Sequence, residues 1–563
     1  MKIKHFFGLA VIAAMTASCS SNNDLVNGGN GSSEVENGTA YASFKINLPT
    51  TSGTRAVPDG TPGFNEGTAA EYEVKNGTIL IFDATTDKFV TSANLGTMNP
   101  WTDVKADGVT TAAIATVKLS NVSVTGNYNA LVLLNNNTAD EATKKVTLPT
   151  SADTYATWSK DASKANATNY VSTDGIFMAN APMYSATSEP TTLVKINHVC
   201  ASPEEAQAKA ATTIYVERGL AKVTMKDFEK DGYLIGDGTT YAGDTVKIEK
   251  WQLDVTNNFT YPVHQIGGLS TGFADIWKTA RFFDGTNTVF KRVYWGVDPN
   301  YDNSDYQTLA NCKTAFNMIT NDKVTGVAGE ANPQYCLENT FDLDNMKQGQ
   351  TTRVVFKAVF IPKGFKSKYK TFYKIGNNTT IWSQENLEKQ IKAKAQEVLG
   401  KESETNKIEV DLKAADNNIE GNAGTKILTE ANVQHNGANV ASKEIKAINE
   451  KLGLKAATET DPIVGIATYK DGESYYIARI KHFNEMTPWT PGTAYGSENE
   501  KFLGRYGVLR NNWYELSVNK VSGLGYPDVP EVKPTLPDDE NDQYISVSVK
   551  ILSWAKRSQK IDL

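Results

Sequence analysis

Strand-length apolar runs, each closed by Gly, Asn, Asp or Pro, recur along the chain from about Glu73 onward, and they restrict the fold more than any other feature. The clearest are Thr78 to Phe82, Ala130 to Leu134, Ile214 to Met225, Thr352 to Ile361, Tyr475 to Phe483 and Trp513 to Val521. Many short runs with turn residues between them predict an all-β chain built from sandwiches. Two segments predict helices. Ser202-Pro203-Glu204-Glu205 has a Ser cap, a first-turn Pro and a Glu at the third helical position, and Glu385 to Leu399 is a longer amphipathic stretch. Both read as insertions between strands. At 563 residues, 40% of them hydrophobic, the chain can fill two cores. A turn at Gly236 to Asp244 is a plausible boundary between them.

The front of the chain reads as an export signal. Lys2 and Lys4 precede an apolar run from Phe6 to Met15, which is too short to span a bilayer as a helix, and small residues lead to Cys19. Thr16-Ala17-Ser18-Cys19 resembles a bacterial lipobox, with Thr16 where Leu is usual. The alternative is a plain signal peptide with an incidental cysteine. Acylation of Cys19, palmitate included, would supply more than one buried chain and hence a stable membrane anchor. The other cysteines are Cys200, Cys312 and Cys336. Export permits a disulfide, and Cys312 with Cys336 is the pair nearest in sequence; three buried reduced thiols are the other reading. Charge is balanced at 57 basic against 64 acidic residues, a net −7 without long single-sign blocks. That leaves no electrostatic footprint for a nucleic-acid partner.

The two ends of the chain match. After a Ser-, Asn- and Gly-rich tether from Ser20 to Gly38, residues Ala42, Phe44, Ile46 and Leu48 alternate with Ser43, Lys45 and Asn47, the pattern of a half-buried strand. Pro49 ends it, and the polar loop Thr51 to Gly60 follows, with Arg55 inside it; loop tips of this kind are where proteolysis concentrates. Near the other end, four prolines among acidic residues in Pro527 to Asp542 describe an extended, solvated spacer with a reach of roughly 50 Å. Beyond it Ile545, Val547, Val549 and Ile551 alternate with Ser546, Ser548 and Lys550. If a protease cut after Arg55 and the front strand left, the last strand of a second copy could fill its groove by β-augmentation. Donor and groove lie on different surfaces, so the contact would propagate head to tail. The plainer alternative is that both are permanent members of one sandwich.

Other motifs carry less. Gly268-Leu269-Ser270-Thr271-Gly272 matches a nucleophile elbow, which needs a strand-to-helix turn in a parallel sheet that the all-β pattern does not provide. His198 with Cys200 falls two ligands short of a zinc site. Asp298, Asn300 and Asp302 begin like a calcium loop, yet Asn303 replaces the required Gly and Leu309 the bidentate Glu. No Walker-type phosphate loop is present, and neither a cofactor nor a metal nor an enzymatic activity is expected. Trp251, Trp295, Trp489 and Trp513 could form a sugar platform, although aromatics in strands usually pack into cores.

Several segments resemble the Mfa-type fimbrillins, major subunits of type V pili: Val216 to Val223, Trp251 to Asn257, Tyr335 to Phe341 followed by Thr352-Arg353-Val354, and above all Tyr506-Gly507-Val508-Leu509-Arg510-Asn511-Asn512-Trp513-Tyr514, continuing through Ser517-Val518-Asn519 and Ser522 to Gly525. The resemblance implies two transthyretin-like β-sandwich domains and an outer-membrane lipoprotein precursor acylated at Cys19. It further implies an Arg-specific protease cutting Arg55-Ala56, and assembly with identical subunits through donor strands. Accessory tip and anchor pilins and host or bacterial surface receptors would be further partners. The expected organisation is a signal over 1–19, a propeptide over 20–55, sandwich domains over 56–240 and 241–526, a spacer over 527–543 and a donor strand over 544–563. A shaft subunit is the leading expectation. Its rivals are a tip or anchor pilin of the same family and a monomeric glycan-binding surface lipoprotein.

Overall fold

The period-two run at the front of the chain forms strand β1 (Thr39–Pro49), and eight further strands join it in one sheet. These are β2 (Gly77–Asp83), β3 (Phe89–Asn94), β4 (Thr102–Ala106), β5 (Val109–Ser120), β6 (Tyr128–Leu134), β7 (Met178–Asn180), β8 (Val194–Lys195) and β9 (Thr212–Arg218). Their order is β3-β2-β6-β7-β9-β1-β5-β4, with β8 on β6. The structure is a computed structural model. It describes residues 38–49, 67–96, 102–106, 109–136, 145–165, 167–172, 175–185, 188–266, 293, 295–364, 370–458, 463–482, 493, 502–539 and 545–553, all within the unit Gly38–Leu563.

Strands β2 and β6 are apolar at nearly every position because both faces of the sheet are covered. Ile79 and Ile81 enter the core that holds Phe44 and Ile46, whereas Leu80 and Phe82 enter a second core with Leu131, Leu133, Trp158 and Trp513. Strands buried on both faces read as continuous apolar runs, which is the pattern of these two segments.

The remainder is built from β10 (Ala221–Met225), β11 (Tyr233–Leu234), β12 (Thr245–Asp254), β13 (Gln334–Cys336), β14 (Arg353–Ile361), β15 (Phe372–Ile375), β16 (Gly424–Lys426), β17 (Ile466–Tyr469), β18 (Glu473–Arg479), β19 (Asn512–Val521) and β20 (Ile545–Ser553). Two four-stranded sheets, β13-β10-β19-β20 and β11-β12-β14-β18, share a core that includes Val223, Trp251, Phe356, Tyr476, Tyr514 and Leu516. The expected strand Ile214 to Met225 is therefore two strands. The chain leaves the first sheet at Arg218 and enters another at Ala221, upstream of the turn at 236–244.

Both expected helices form. Ser202 caps α2 (Pro203–Ala208), its hydroxyl accepting from the Glu205 amide, and Ser383 caps α3 (Gln384–Leu399) through the Asn386 amide. Helix α1 (Ala69–Tyr72) precedes them, and α4 (Ser442–Lys451) packs on α3. Helices α3 and α4 belong to an insertion between the paired strands β15 and β17, with its own core of Leu387, Ile391, Ile408, Val433, Ile445 and Ile448. The architecture is mostly β and sandwich-type, with short helical additions.

Candidate assembly site

Strand β1 is an interior strand. Antiparallel β5 pairs with it from Thr39, opposite Ser120, to Pro49, opposite Val109. On its other side β9 runs parallel, from Phe44 opposite Thr212 to Asn47 opposite Tyr215. Ahead of that stretch, Tyr41 and Cys200 exchange two backbone hydrogen bonds of 2.9 and 2.8 Å. Ala42, Phe44 and Ile46 are fully buried and Leu48 is 2% exposed. At ~1.5–3 kcal/mol per fully buried large side chain, Phe44, Ile46 and Leu48 together contribute about 5–9 kcal/mol to keeping the strand in place.

The other face of β1 is more closed than alternation predicts. The Ser43 hydroxyl donates to the Ala206 carbonyl of α2 at 2.8 Å and lies 2.8 Å from the Thr116 hydroxyl, from which it accepts. Ser43 and Asn47 are buried, and Lys45 alone among the three polar residues is exposed. It lies opposite Ile114, itself 64% exposed. Because β1 precedes every other described element, one cut within 50–66 would separate it covalently from the sandwich that holds it.

The last strand, β20, occupies a different sheet. It is the edge strand of β13-β10-β19-β20 and pairs antiparallel with β19, from Ile545 opposite Val521 to Ser553 opposite Asn512. Val547 is half-buried against the second sandwich core.

The Pro-rich segment before it corrects the expectation of a solvated spacer: up to Asp539 it is docked. Pro530 accepts from the Arg353 guanidinium at 2.5 Å, and Val529 donates to the Asn321 side chain at 2.7 Å. Asp538 is fully buried. Its carbonyl accepts from Arg479 at 2.7 Å, its carboxylate from Thr351 at 2.8 Å, and its amide donates to the Met346 carbonyl at 3.1 Å. Asp539 accepts from the Tyr506 hydroxyl at 2.6 Å and pairs with Arg505 at 2.9 Å. Gly349 sits where a Cβ would come within 2.7 Å of Cys312 Sγ and 3.0 Å of Pro534 Cα, so only glycine lets the segment approach this closely. Composition misled because the anchoring partners are distant in sequence: the backbone and carboxylates of the segment meet arginines and hydroxyls, and Val532 enters a small apolar cluster with Val255, Tyr306 and Phe316.

Downstream of β1, α1 is locked down. The Glu71 carboxylate lies 2.7 Å from Lys222 Nζ on β10 and accepts from the Tyr335 hydroxyl at 2.7 Å, while Arg218 Nε donates to the Glu71 carbonyl at 2.8 Å. Burial alone would raise the Glu71 carboxyl. The hydrogen bonds from Lys222 and Tyr335 and the Lys222 charge outweigh it and hold the carboxyl below its usual range.

Other residues singled out by sequence fall as follows. Cys19, Arg55, Ala56, Trp489 and the 268–272 motif lie outside the described residues. Cys200, Cys312 and Cys336 are buried free thiols, so the Cys312–Cys336 bridge is not made; the two sulfurs belong to separate apolar clusters, and burial pushes them up to about 11 and about 12. Trp251, Trp295 and Trp513 are buried, which removes three of the four residues of the sugar platform. Asp298 is not poised as a calcium ligand. It is buried, its carboxylate accepts from the Thr340 and Asn300 amides at 2.5 and 2.6 Å, and burial pushes its pKa to about 7. His198 is exposed while Cys200 is buried. Sequence reasoning missed the Tyr41–Cys200 bridge, Thr116, the Ala206 carbonyl and the arginine clamps, none of which leaves a periodic signal.

The fold and these two end strands define an all-β protein whose first strand is enclosed and whose last lies on an edge. Residues 467–560, which include the β18–β19 region and β20, match the family model for the C-terminal part of fimbrillin, the type IV major fimbrial subunit protein. That match covers roughly a sixth of the chain and is a likeness of this region to the fimbrillins. Among solved structures it is similar to a candidate cell adhesion protein from Parabacteroides distasonis, with a TM-score of 0.40, 11% identity, and coverage of 92% of this chain and 99% of that one. It is also similar to a fimbrial assembly protein from the same bacterium, with a TM-score of 0.26, 13% identity, and coverage of 56% and 95%. No curated protein matches the chain.

Proposed function

We propose that this chain is a fimbrillin, the shaft subunit of a cell-surface fimbria, and that it polymerises by protease-triggered strand exchange. Export would end in acylation at Cys19, and an Arg-specific protease would cut Arg55-Ala56. Release of β1 would then open a groove between β5 and β9, which β20 of the next copy fills. Identical subunits are the main partners. Tip and anchor pilins end the fibre, and surface receptors meet it outside the cell.

The observation that carries this reading is the position of β1. It is enclosed on both sides, its apolar face is buried, and it stands at the front of the chain, where one cut frees it. Docking of the tether through Asp539 tightens the geometry. With the chain held at Asp539, the five residues 540–544 can span at most about 17 Å, so the neighbour's groove must come close to the second sandwich of the donor.

The test is treatment of purified full-length precursor with an Arg-specific protease, followed by electron microscopy and N-terminal sequencing. Fibres whose subunits begin at Ala56 are expected from the intact chain, and none from a chain ending before Ile545 that keeps its circular-dichroism spectrum. Fibres from the shortened chain, or cut intact chain that stays monomeric at high concentration, would overturn the proposal.

A further inference from the structure

We infer that the two end strands share one motif that fixes the register of exchange: Ser548 takes the place of Ser43, and Lys550 that of Lys45. This rests on the strand-exchange reading above and adds a specific alignment to it.

Ala42-Ser43-Phe44-Lys45-Ile46 and Val547-Ser548-Val549-Lys550-Ile551 run in the same chain direction, with Ser, Lys and Ile at equivalent places. Matching apolar residues alone leaves the register open. Period-two strands fit equally well when slid by two residues, which would place Ile545 on Ala42 and Ile551 on Leu48. The polar face decides between them.

Along that face of β1, Ser43 and Asn47 are buried and Lys45 between them is exposed. In the slid register Lys550 would enter the Asn47 position and bury an ammonium group, which is costly without a partner. In the motif register Lys550 lies at the Lys45 position, where its stem can rest on exposed Ile114 with its charge in water. Leu552, an apolar residue, then takes the buried Asn47 position. Ser548 inherits the two partners of Ser43, donating to the Ala206 carbonyl and accepting from Thr116. Val549 comes opposite Thr212 and Ala115, and Ile551 opposite Ile214 and Ala113. Two sites are left underfilled, the Phe44 site by Val549 and the Leu48 site by Ser553.

Helix α2 thus acquires a role: through its Ala206 carbonyl it reads a hydroxyl at one position of the incoming strand. Ser548 is a specificity-determining residue of the donor, and Thr116 with Ala206 is its reader.

The register is tested by disulfide trapping in the full-length chain after Arg-specific cleavage, with a mild oxidant and non-reducing gels. Thr116→Cys with Ser548→Cys is expected to give a covalent ladder of subunits, and Thr116→Cys with Ser546→Cys little or none. A ladder from the Ser546 pair alone would overturn the register and leave strand exchange standing. Fibres visible by microscopy without a ladder from either pair would overturn both, because the last strand would then not lie beside β5. Two variants without engineered cysteines give a second reading. Leu552→Lys is expected to slow polymerisation at least tenfold, and Lys550→Gln to change it less than twofold. Faster assembly of Lys550→Gln with unchanged assembly of Leu552→Lys would instead show a lysine buried at the Asn47 position and would sink the motif register.

Discussion

Arg479 Nε donates to the main-chain carbonyl of Asp538 at 2.7 Å, and the same guanidinium reaches the Thr351 carbonyl at 3.3 Å. One buried side chain therefore fastens the end of the Pro-rich tether to strand β18. Removing it in Arg479→Ala takes a donor away from two carbonyls, at a cost of about 1–3 kcal/mol for each buried group left unsatisfied. Hydrogen exchange at the Leu536 and Asp538 amides, which donate to the Lys533 and Met346 carbonyls, is expected to speed up by at least tenfold. Unchanged exchange at both would mean that the tether holds without Arg479.

Under strand exchange, Phe44 distinguishes the precursor from the fibre. It is fully buried in β1, and Phe44→Ala removes a large side chain from a packed core at about 3–5 kcal/mol. That loss is expected in denaturant titrations of the uncut precursor. If strand exchange releases β1, fibres assembled from cut subunits lack residue 44, and their melting temperature should equal that of wild-type fibres. A lowered fibre melting temperature would show that β1 stays in the assembled subunit.

Cys200 reports on the groove. Its backbone pairs with Tyr41 of β1, the residue is 3% exposed, and burial raises its thiol further above neutral pH. In uncut precursor it should react slowly with a thiol reagent. Cleavage and release of β1 remove one wall of its surroundings, so the rate is expected to rise by tenfold or more and to fall again as fibres form. Cys312 and Cys336 lie in other clusters and serve as internal controls.

How much of this was legible in sequence depended on how local the cause was. The alternation at 42–48 and 545–551 marked both end strands, and the Ser202-Pro203 signal marked α2, because backbone periodicity and capping act within a few residues. Burial of Ser43 and Asn47 was not legible, since it depends on α2 returning from about 160 positions downstream to meet Ser43. The tether was misread for the same reason. Pro527 to Asp539 has the composition of a solvated linker, and what docks it is Arg353, Arg479, Arg505 and Tyr506 from strands and loops distant in sequence. The break between β9 and β10 inside one apolar run was hidden because both strands are buried, and burial removes the alternation that would have marked the change of sheet.

Glu71 and Lys222 give the last prediction. Both side chains are buried, 5% and 3% exposed, at 2.7 Å, and they join the segment that would lead the mature chain to strand β10. In Glu71→Gln the buried ammonium of Lys222 loses its nearest carboxylate and keeps the face of the Trp513 ring at 3.7 Å, at a cost of up to about 3–5 kcal/mol of stability near neutral pH. The pH dependence follows from the directions of the two groups. The Glu71 carboxyl titrates below its unfolded value, so in the wild type its contribution is complete above about pH 4.5 and is lost as pH falls through the folded value. The gap between wild type and variant should therefore narrow in acid. At the other end, burial already lowers Lys222, and without Glu71 it is lowered further. The folded variant then sheds its proton before the unfolded chain does, so its stability should climb as pH rises toward 9, more steeply than that of the wild type. Denaturant titrations at pH 3, 7 and 9 measure all three points. A constant gap across them would show that the pair contributes packing and not charge.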